Sequence, residues 1–312
     1  MKLKGFLLAA IAAATYGTNP AFALPLYADG MNANSTLLFR YALGLPILAA
    51  MAFYRGRNLR LRASQIFPVT LLGILMAISS LSLFESYNYM NSGVASTLLF
   101  LYPVMVAIIM VIGFNEKFKL TTGICLLLMT GGLALLMHPG EGFAVSLTGF
   151  LLVMISALTY AVFIVMTNVN RELRGIPTLT LMFYELLAGT LFYILLIPLG
   201  FELTVPVHCA GWINLGALAI LPTVLSLSCT TMAIQIIGPT PTAIFGALEP
   251  VTAVVLSITF LNQPMSAQEL FGGVLIVAAT SLVVIGNKVD SIILRVRKMF
   301  PSLRHGVHRR QD

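Results

Sequence analysis

The ionisable side chains Arg40, Glu85, Glu185 and Glu249 stand inside long apolar stretches of the chain. A charge at the centre of a membrane helix costs about 2.5–3.5 kcal/mol on insertion scales, so such residues face a protein interior, pair together or line a wet path. The planar guanidinium of Arg40 suits two-point capture of a carboxylate or phosphate. A structural ion pair is the equal alternative, with Glu85 as the acid closest in depth. Glu249 precedes Pro250. Proline inside a helix removes one backbone hydrogen bond and disturbs another, which predicts a kinked hinge beside this carboxylate. An acid next to freed carbonyls suits a substrate amine or a proton. Glu185 fits a pathway role and a structural role equally. Glu85, two residues from the end of its stretch, reads as an interfacial carboxylate.

Tyrosines supply the other candidate pathway groups. Tyr16 and Tyr160 lie twelve and fourteen residues into their apolar stretches, near mid-membrane. A tyrosine presents a flat apolar face with one hydroxyl, as a metabolite pocket needs, although packing is at least as common a use. Tyr102 precedes Pro103 as Glu249 precedes Pro250, so two matched hinges carry unlike chemistry. Thr15, Asn19 and Thr159 are candidates for further polar contacts. Catalytic groups are missing from the pattern. No His or Asp falls in any stretch, and there is no HExxH, CxxC or phosphate-binding G-x-x-x-x-G-K-[ST] loop. Cys125, Cys209 and Cys229 make neither a disulfide framework nor a metal cluster, so no cofactor, metal or enzymatic activity is expected.

The elements that must position these residues follow from composition. The 312 residues are 58% hydrophobic and only 9% charged, with mean hydropathy +0.95. So few charges cannot cover a soluble globule of this size, for which about 25% is usual. Apolar stretches at 5–28, 33–54, 65–87, 92–113, 120–137, 147–168, 177–199, 211–234, 241–262 and 267–286 predict an all-α integral membrane protein of ten transmembrane helices. They are continuous rather than alternating, which excludes a β-barrel. Positive charges test the count. Lys2 and Lys4, Arg55 to Arg62, Lys117 and Lys119, and Arg171 and Arg174 all fall in joints on one side, together with the tail, and only Arg40 lies in a span. The positive-inside rule then places both termini in the cytosol of a multi-pass cell (inner) membrane protein. The net charge of +7 is thus a topology signal with a basic tail, 287–312, drawn to the anionic leaflet, and not a nucleic-acid footprint.

An internal repeat orders the spans. Gly5 to Tyr16 matches Gly149 to Tyr160 at eight of twelve positions, and Phe39 meets Phe183 at the same offset. Pro103-Val104 with Asn115-Glu116 matches Pro250-Val251 with Asn262-Gln263 at identical spacing. Two five-helix halves, 1–137 and 147–286, are expected. Five is odd, so the halves enter the membrane in opposite orientations. Inverted-topology repeats recur in secondary transporters, whose substrate site lies between the halves near mid-membrane. The reading is a carrier for a small organic substrate working by alternating access, with a proton as the candidate coupling ion. A non-coupled exchanger or facilitator, or a channel-like pore, is the alternative; a non-transporting receptor and an intramembrane enzyme are weaker ones.

These features together resemble the EamA-type carriers of the drug/metabolite transporter superfamily. The resemblance spans both halves. It rests on Phe39-Arg40-Tyr41, on Leu101-Tyr102-Pro103-Val104 with Glu116, on Leu248-Glu249-Pro250-Val251, and on Gly123, Gly131-Gly132 and Gly272-Gly273 in the helix ending each half. Gln263-Pro264 departs from it, since an acidic residue is more frequent there. The resemblance implies ten helices, cytosolic termini, and transport of amino-acid-like or drug-like metabolites, often as efflux.

Overall fold

The computed structural model describes residues 2–56, 59–90, 95, 98–116, 120–136, 146–173, 175–246, 248, 249, 251, 252, 268, 271–279 and 282. Among the described residues all regular structure is helical. The first half holds α1 (Lys2–Tyr16), α2 (Asn19–Ala28), α3 (Ala33–Tyr54), α4 (Ala63–Ser86), α5 (Tyr102–Phe114) and α6 (Leu120–Leu136). The second holds α7 (Leu147–Val169), α8 (Thr178–Leu196), α9 (Cys209–Leu218), a π-helical turn (Ala219–Leu225), α10 (Ser226–Ile237) and α11 (Pro239–Gly246), with residues 271–279 helical beyond it. Six runs are long and apolar enough to cross a bilayer: Lys2–Ala28, Ala33–Tyr54, Ala63–Ser86, Leu147–Val169, Thr178–Leu199 and Cys209–Ile237. They are the first three spans of each half.

Three departures from the expected spans have local causes. The first span is not continuous: Gly17 and Thr18 form a turn between α1 and α2. Pro20 has no N–H to give a continuing helix and its ring would press on the carbonyl of Tyr16. The fourth span is interrupted: residues 95, 98 and 99 are helical, a turn follows at Phe100–Leu101, and α5 starts at Tyr102. Pro103 therefore sits in the first turn of α5, just after this break, where its missing N–H costs nothing. Between α10 and α11 the joint expected between the stretches ending at 234 and starting at 241 shrinks to Gly238 alone. Its φ of +90° turns the chain, and Pro239 starts the next helix at once. Pro250, residues 253–262 and the basic tail lie outside the described residues.

The halves interleave. α4 packs on α7, α1 on α10, and α3 on α8. Exchange of the halves turns the first of these pairs into the second and leaves the third unchanged. Contact positions give the directions. Tyr41 lies against Gly189 and Leu186 against Gly44, so α3 and its repeat counterpart α8 are antiparallel. Gly73 lies against Glu185, and the Tyr193 hydroxyl donates to the Ala77 carbonyl at 3.0 Å, so α4 runs parallel to α8. The counterpart of α4, the run Cys209–Ile237, lies parallel to α3: Phe39 meets Trp212, and Gly44 meets Thr223. It is therefore antiparallel to α4. Ser79 and Ser156 clamp α4 to α7 at buried positions, each hydroxyl donating to the other's carbonyl, at 3.0 and 2.7 Å.

The outer surface repeats as well. Leu3, Leu7 and Ile11 are 62, 57 and 45% exposed, and their counterparts Leu147, Leu151 and Ile155 are 72, 52 and 47% exposed. Spacing by four residues puts each trio on one helix face. Apolar stripes so bare, at matched positions of both halves, are surfaces for lipid rather than water.

Candidate functional site

A cavity lies where α1, α5, α7, α10 and α11 converge. Ala9, Ala12 and Ala13 make its α1 wall, with Tyr16 at the end of that helix. Their methyl side chains let α10 approach so closely that the Ser226 hydroxyl donates to the Ala12 carbonyl at 2.9 Å. Tyr102 enters from α5, Tyr160 and Ile164 from α7, Ser226 and Thr230 from α10, Thr242 and Gly246 from α11, and Glu249 follows. The volume is about 20 Å³. That is room for a single water and not for a metabolite.

The tyrosines are held firmly. The Tyr102 and Tyr160 rings meet edge to face with centroids 4.8 Å apart, and Tyr160 stacks on Phe163 at 6.0 Å. The Tyr102 hydroxyl donates to the Ala243 carbonyl at 3.2 Å, crossing from one half to the other. That reach depends on Gly246, where a methyl would lie 1.6 Å from the tyrosine oxygen. Tyr16 is joined to Glu249 by backbone proximity: a methyl on Gly17 would lie 2.7 Å from the Glu249 carbonyl oxygen.

Arg40 is 1% exposed and sits beside this cavity without lining it. Its Nε donates to the Thr223 hydroxyl, Nη1 to Asn19 Oδ1 at 3.0 Å and Nη2 to the Pro222 carbonyl at 3.3 Å. Its guanidinium carbon lies 5.9 Å from the ring centres of both Tyr16 and Phe84. The alternative of an ion pair with Glu85 is not realised: no described carboxylate reaches Arg40, and Glu85 Oε2 accepts from Asn88 at 3.0 Å instead. The reason is helical geometry. Phe84 occupies the direction from α4 towards Arg40, and the next residue points about 100° further round.

The remaining candidates are separate. Glu185 is 1% exposed, away from the cavity, and among the described residues neither of its carboxyl oxygens has a hydrogen-bond partner. Thr15 and Thr159 turn their hydroxyls back on their own helices, each donating at 2.8 Å to the carbonyl four residues earlier, so neither adds a pocket contact. Asn19 serves Arg40. Structure thus gathers Tyr16, Tyr102, Tyr160 and Glu249, sets Arg40 behind Tyr16, and leaves Glu85 and Glu185 elsewhere. Ser226, Thr230, Thr242, Gly246 and Ile164 went unnoticed in the sequence. A polar pair four residues apart, Ser226 and Thr230, in an otherwise apolar run was the available signal.

Two like helical halves, one inverted on the other, with lipid-facing stripes outside and a polar cavity at their junction, define a multi-pass membrane protein built around a central site. Comparisons with known proteins agree. The EamA-like transporter family matches twice, over residues 3–138 and 147–285. "Uncharacterized transporter YdfC" of Bacillus subtilis (strain 168) is 22% identical over 282 residues, 87% of this chain and 90% of that protein. A protein of known crystal structure superposes on 90% of this chain and 96% of its own with a TM-score of 0.74 at 19% identity, a likeness of fold alone. The chain belongs to the EamA-like transporter family of the drug/metabolite transporter superfamily and is a multi-pass membrane transporter.

Proposed function

We propose that this transporter is a secondary carrier that moves a small organic metabolite, amino-acid-like or drug-like, outward across the inner membrane by alternating access. Ten helices with both ends in the cytosol frame it, and Glu249 takes the substrate's amine or a coupling proton. The observation that carries this reading is the convergence of the repeat-matched Tyr16 and Tyr160 with Tyr102 and Glu249 at the junction of the halves. Aromatic faces grip an apolar body, and one acid orients a charged end. A cavity of only about 20 Å³, too small for a standing path, favours a carrier over a pore. A carrier must occlude its site between openings, whereas a pore conducts through a standing path.

Coupling is energetically sufficient with one carboxyl. One proton moving down 100 mV releases about 2.3 kcal/mol, enough for a gradient of roughly forty-fold in a neutral substrate. An uncoupled exchanger uses the same pocket without that step. The test is flux in vesicles reconstituted with the full chain. Saturable uptake with counterflow is expected from the wild type, and Glu249→Gln is expected to lower it at least ten-fold and to remove its response to a pH jump. Linear, non-saturating conductance would reject the carrier reading; an unchanged rate and pH response in the variant would remove Glu249 from it.

A further inference from the structure

Arg40 carries five N–H donors. Three of them meet neutral acceptors, the Thr223 hydroxyl, the Asn19 amide oxygen and the Pro222 carbonyl. No described carboxylate lies within ion-pair distance of it. Asn19 is 3% exposed, and its Nδ2 has no hydrogen-bond partner among the described residues. Within one buried amide's length of the guanidinium there are thus spare N–H groups on both residues and a positive charge, with no acceptor among the described residues to receive them. Buried donors are almost always satisfied, and a cation held in a low dielectric calls for an anion.

The Tyr16 ring stands between this group and the cavity. It lines the cavity, and the guanidinium lies over it. Tyr16 is the last residue of α1, immediately before the Gly17–Thr18 turn, so its side chain lies at a helix end rather than within a regular helix. We infer that Arg40 and Asn19 form an anion subsite for a substrate carboxylate, and that Tyr16 is the partition which, when turned aside, joins this subsite to the Glu249 pocket. This rests on the carrier reading and narrows its substrate to small zwitterions bearing an amine and a carboxylate. The amine goes to Glu249 and the carboxylate accepts from Arg40 and Asn19 Nδ2. The apolar remainder lies along Ala9, Ala12 and Ile164. Bidentate acceptance by a carboxylate is the geometry a guanidinium provides best.

The competing role is a purely structural clamp, since Arg40 ties the start of α2 to the π-helical turn. Binding calorimetry on the full chain in lipid nanodiscs separates the two, with glycine, leucine and phenylalanine each measured against its own amide. In the wild type at least one acid is expected to bind ten-fold or more tightly than its amide. Asn19→Asp gives Arg40 an internal carboxylate. It should leave the melting temperature equal or higher, abolish the preference for the acid, and leave amide binding within two-fold. Asn19→Ala should weaken the acid alone. Equal binding of acids and amides to the wild type, or equal loss of both in Asn19→Asp, would overturn the subsite. If the amides bind and depend on Glu249, but acids gain nothing, only the subsite falls. If no member of any pair binds, the amine-binding pocket falls and takes this inference with it.

Discussion

Tyr102 and Gly246 are the tightest pairing in the cavity wall. A methyl at position 246 would sit 1.6 Å from the tyrosine hydroxyl and 3.0 Å from Cζ. The ring has little freedom, being 3% exposed and edge-on to Tyr160. Gly246→Ala is therefore expected to destabilise by about 1–3 kcal/mol, as overpacking does. Tyr102→Phe removes the clashing oxygen, so Gly246→Ala in that background should recover most of the loss. A double-mutant cycle on thermal unfolding measures this, and additive effects would contradict the contact. At this scale the sequence was informative about residue types and weak on company. Unusual chemistry in an apolar stretch marked Arg40, Glu185 and Glu249, because charge in a bilayer needs a reason. Nothing in the order of residues says that Thr15 bonds its own helix while Asn19 bonds Arg40, since both choices depend on which neighbour arrives.

Helices here are placed by glycines at particular crossings and not by glycine in general. A methyl on Gly73 would lie 2.5 Å from the Glu185 carbonyl and 2.7 Å from Ala188 Cβ, both rigid parts of α8. Gly113, on α5, has nothing within 4 Å. Gly73→Ala is expected to push α4 from α8 and destabilise by about 1–3 kcal/mol. Gly113→Ala should be neutral or stabilising by up to about 1 kcal/mol through helix propensity. Melting temperatures of the two variants in one detergent make the comparison; similar losses would mean that the α4–α8 crossing is loose. Apolar length marked the first three spans of each half clearly. It missed the turns at Gly17–Thr18 and Phe100–Leu101, where proline chemistry outweighs hydropathy.

At the scale of the molecule, the halves are also tied where α2 ends. Asp29 Oδ2 accepts from the Val207 and His208 amides at 3.1 and 3.3 Å, and Oδ1 meets the His208 ring. Asn32 N donates to Thr204 Oγ1 at 3.0 Å, and Thr204 N donates to Ser35 Oγ at 2.8 Å. The hydrogen bond from the His208 ring is the largest influence holding the Asp29 carboxyl below its ordinary value of 3.8. A depressed carboxyl contributes stability above its unfolded value and loses it as pH falls through the folded one. Thermal stability of the wild type should therefore drop relative to Asp29→Asn on acidification below about pH 4. Parallel curves for the two proteins would show that this tie between the halves carries no acid-sensitive stability.

Membrane residence, two like halves and a family membership were all readable from one dimension, because hydropathy, charge placement and repetition are properties of the string itself. A bilayer admits helices of about 20 residues, so counting apolar runs is already a structural measurement. Which residues meet was decided only in three dimensions. Tyr16, Tyr102, Tyr160 and Glu249 come from four separate stretches of sequence and share one wall because the halves interleave antiparallel. Arg40 faces a π-helical turn and the amide oxygen of Asn19 rather than Glu85, since helix rotation fixes which neighbour a buried side chain can reach.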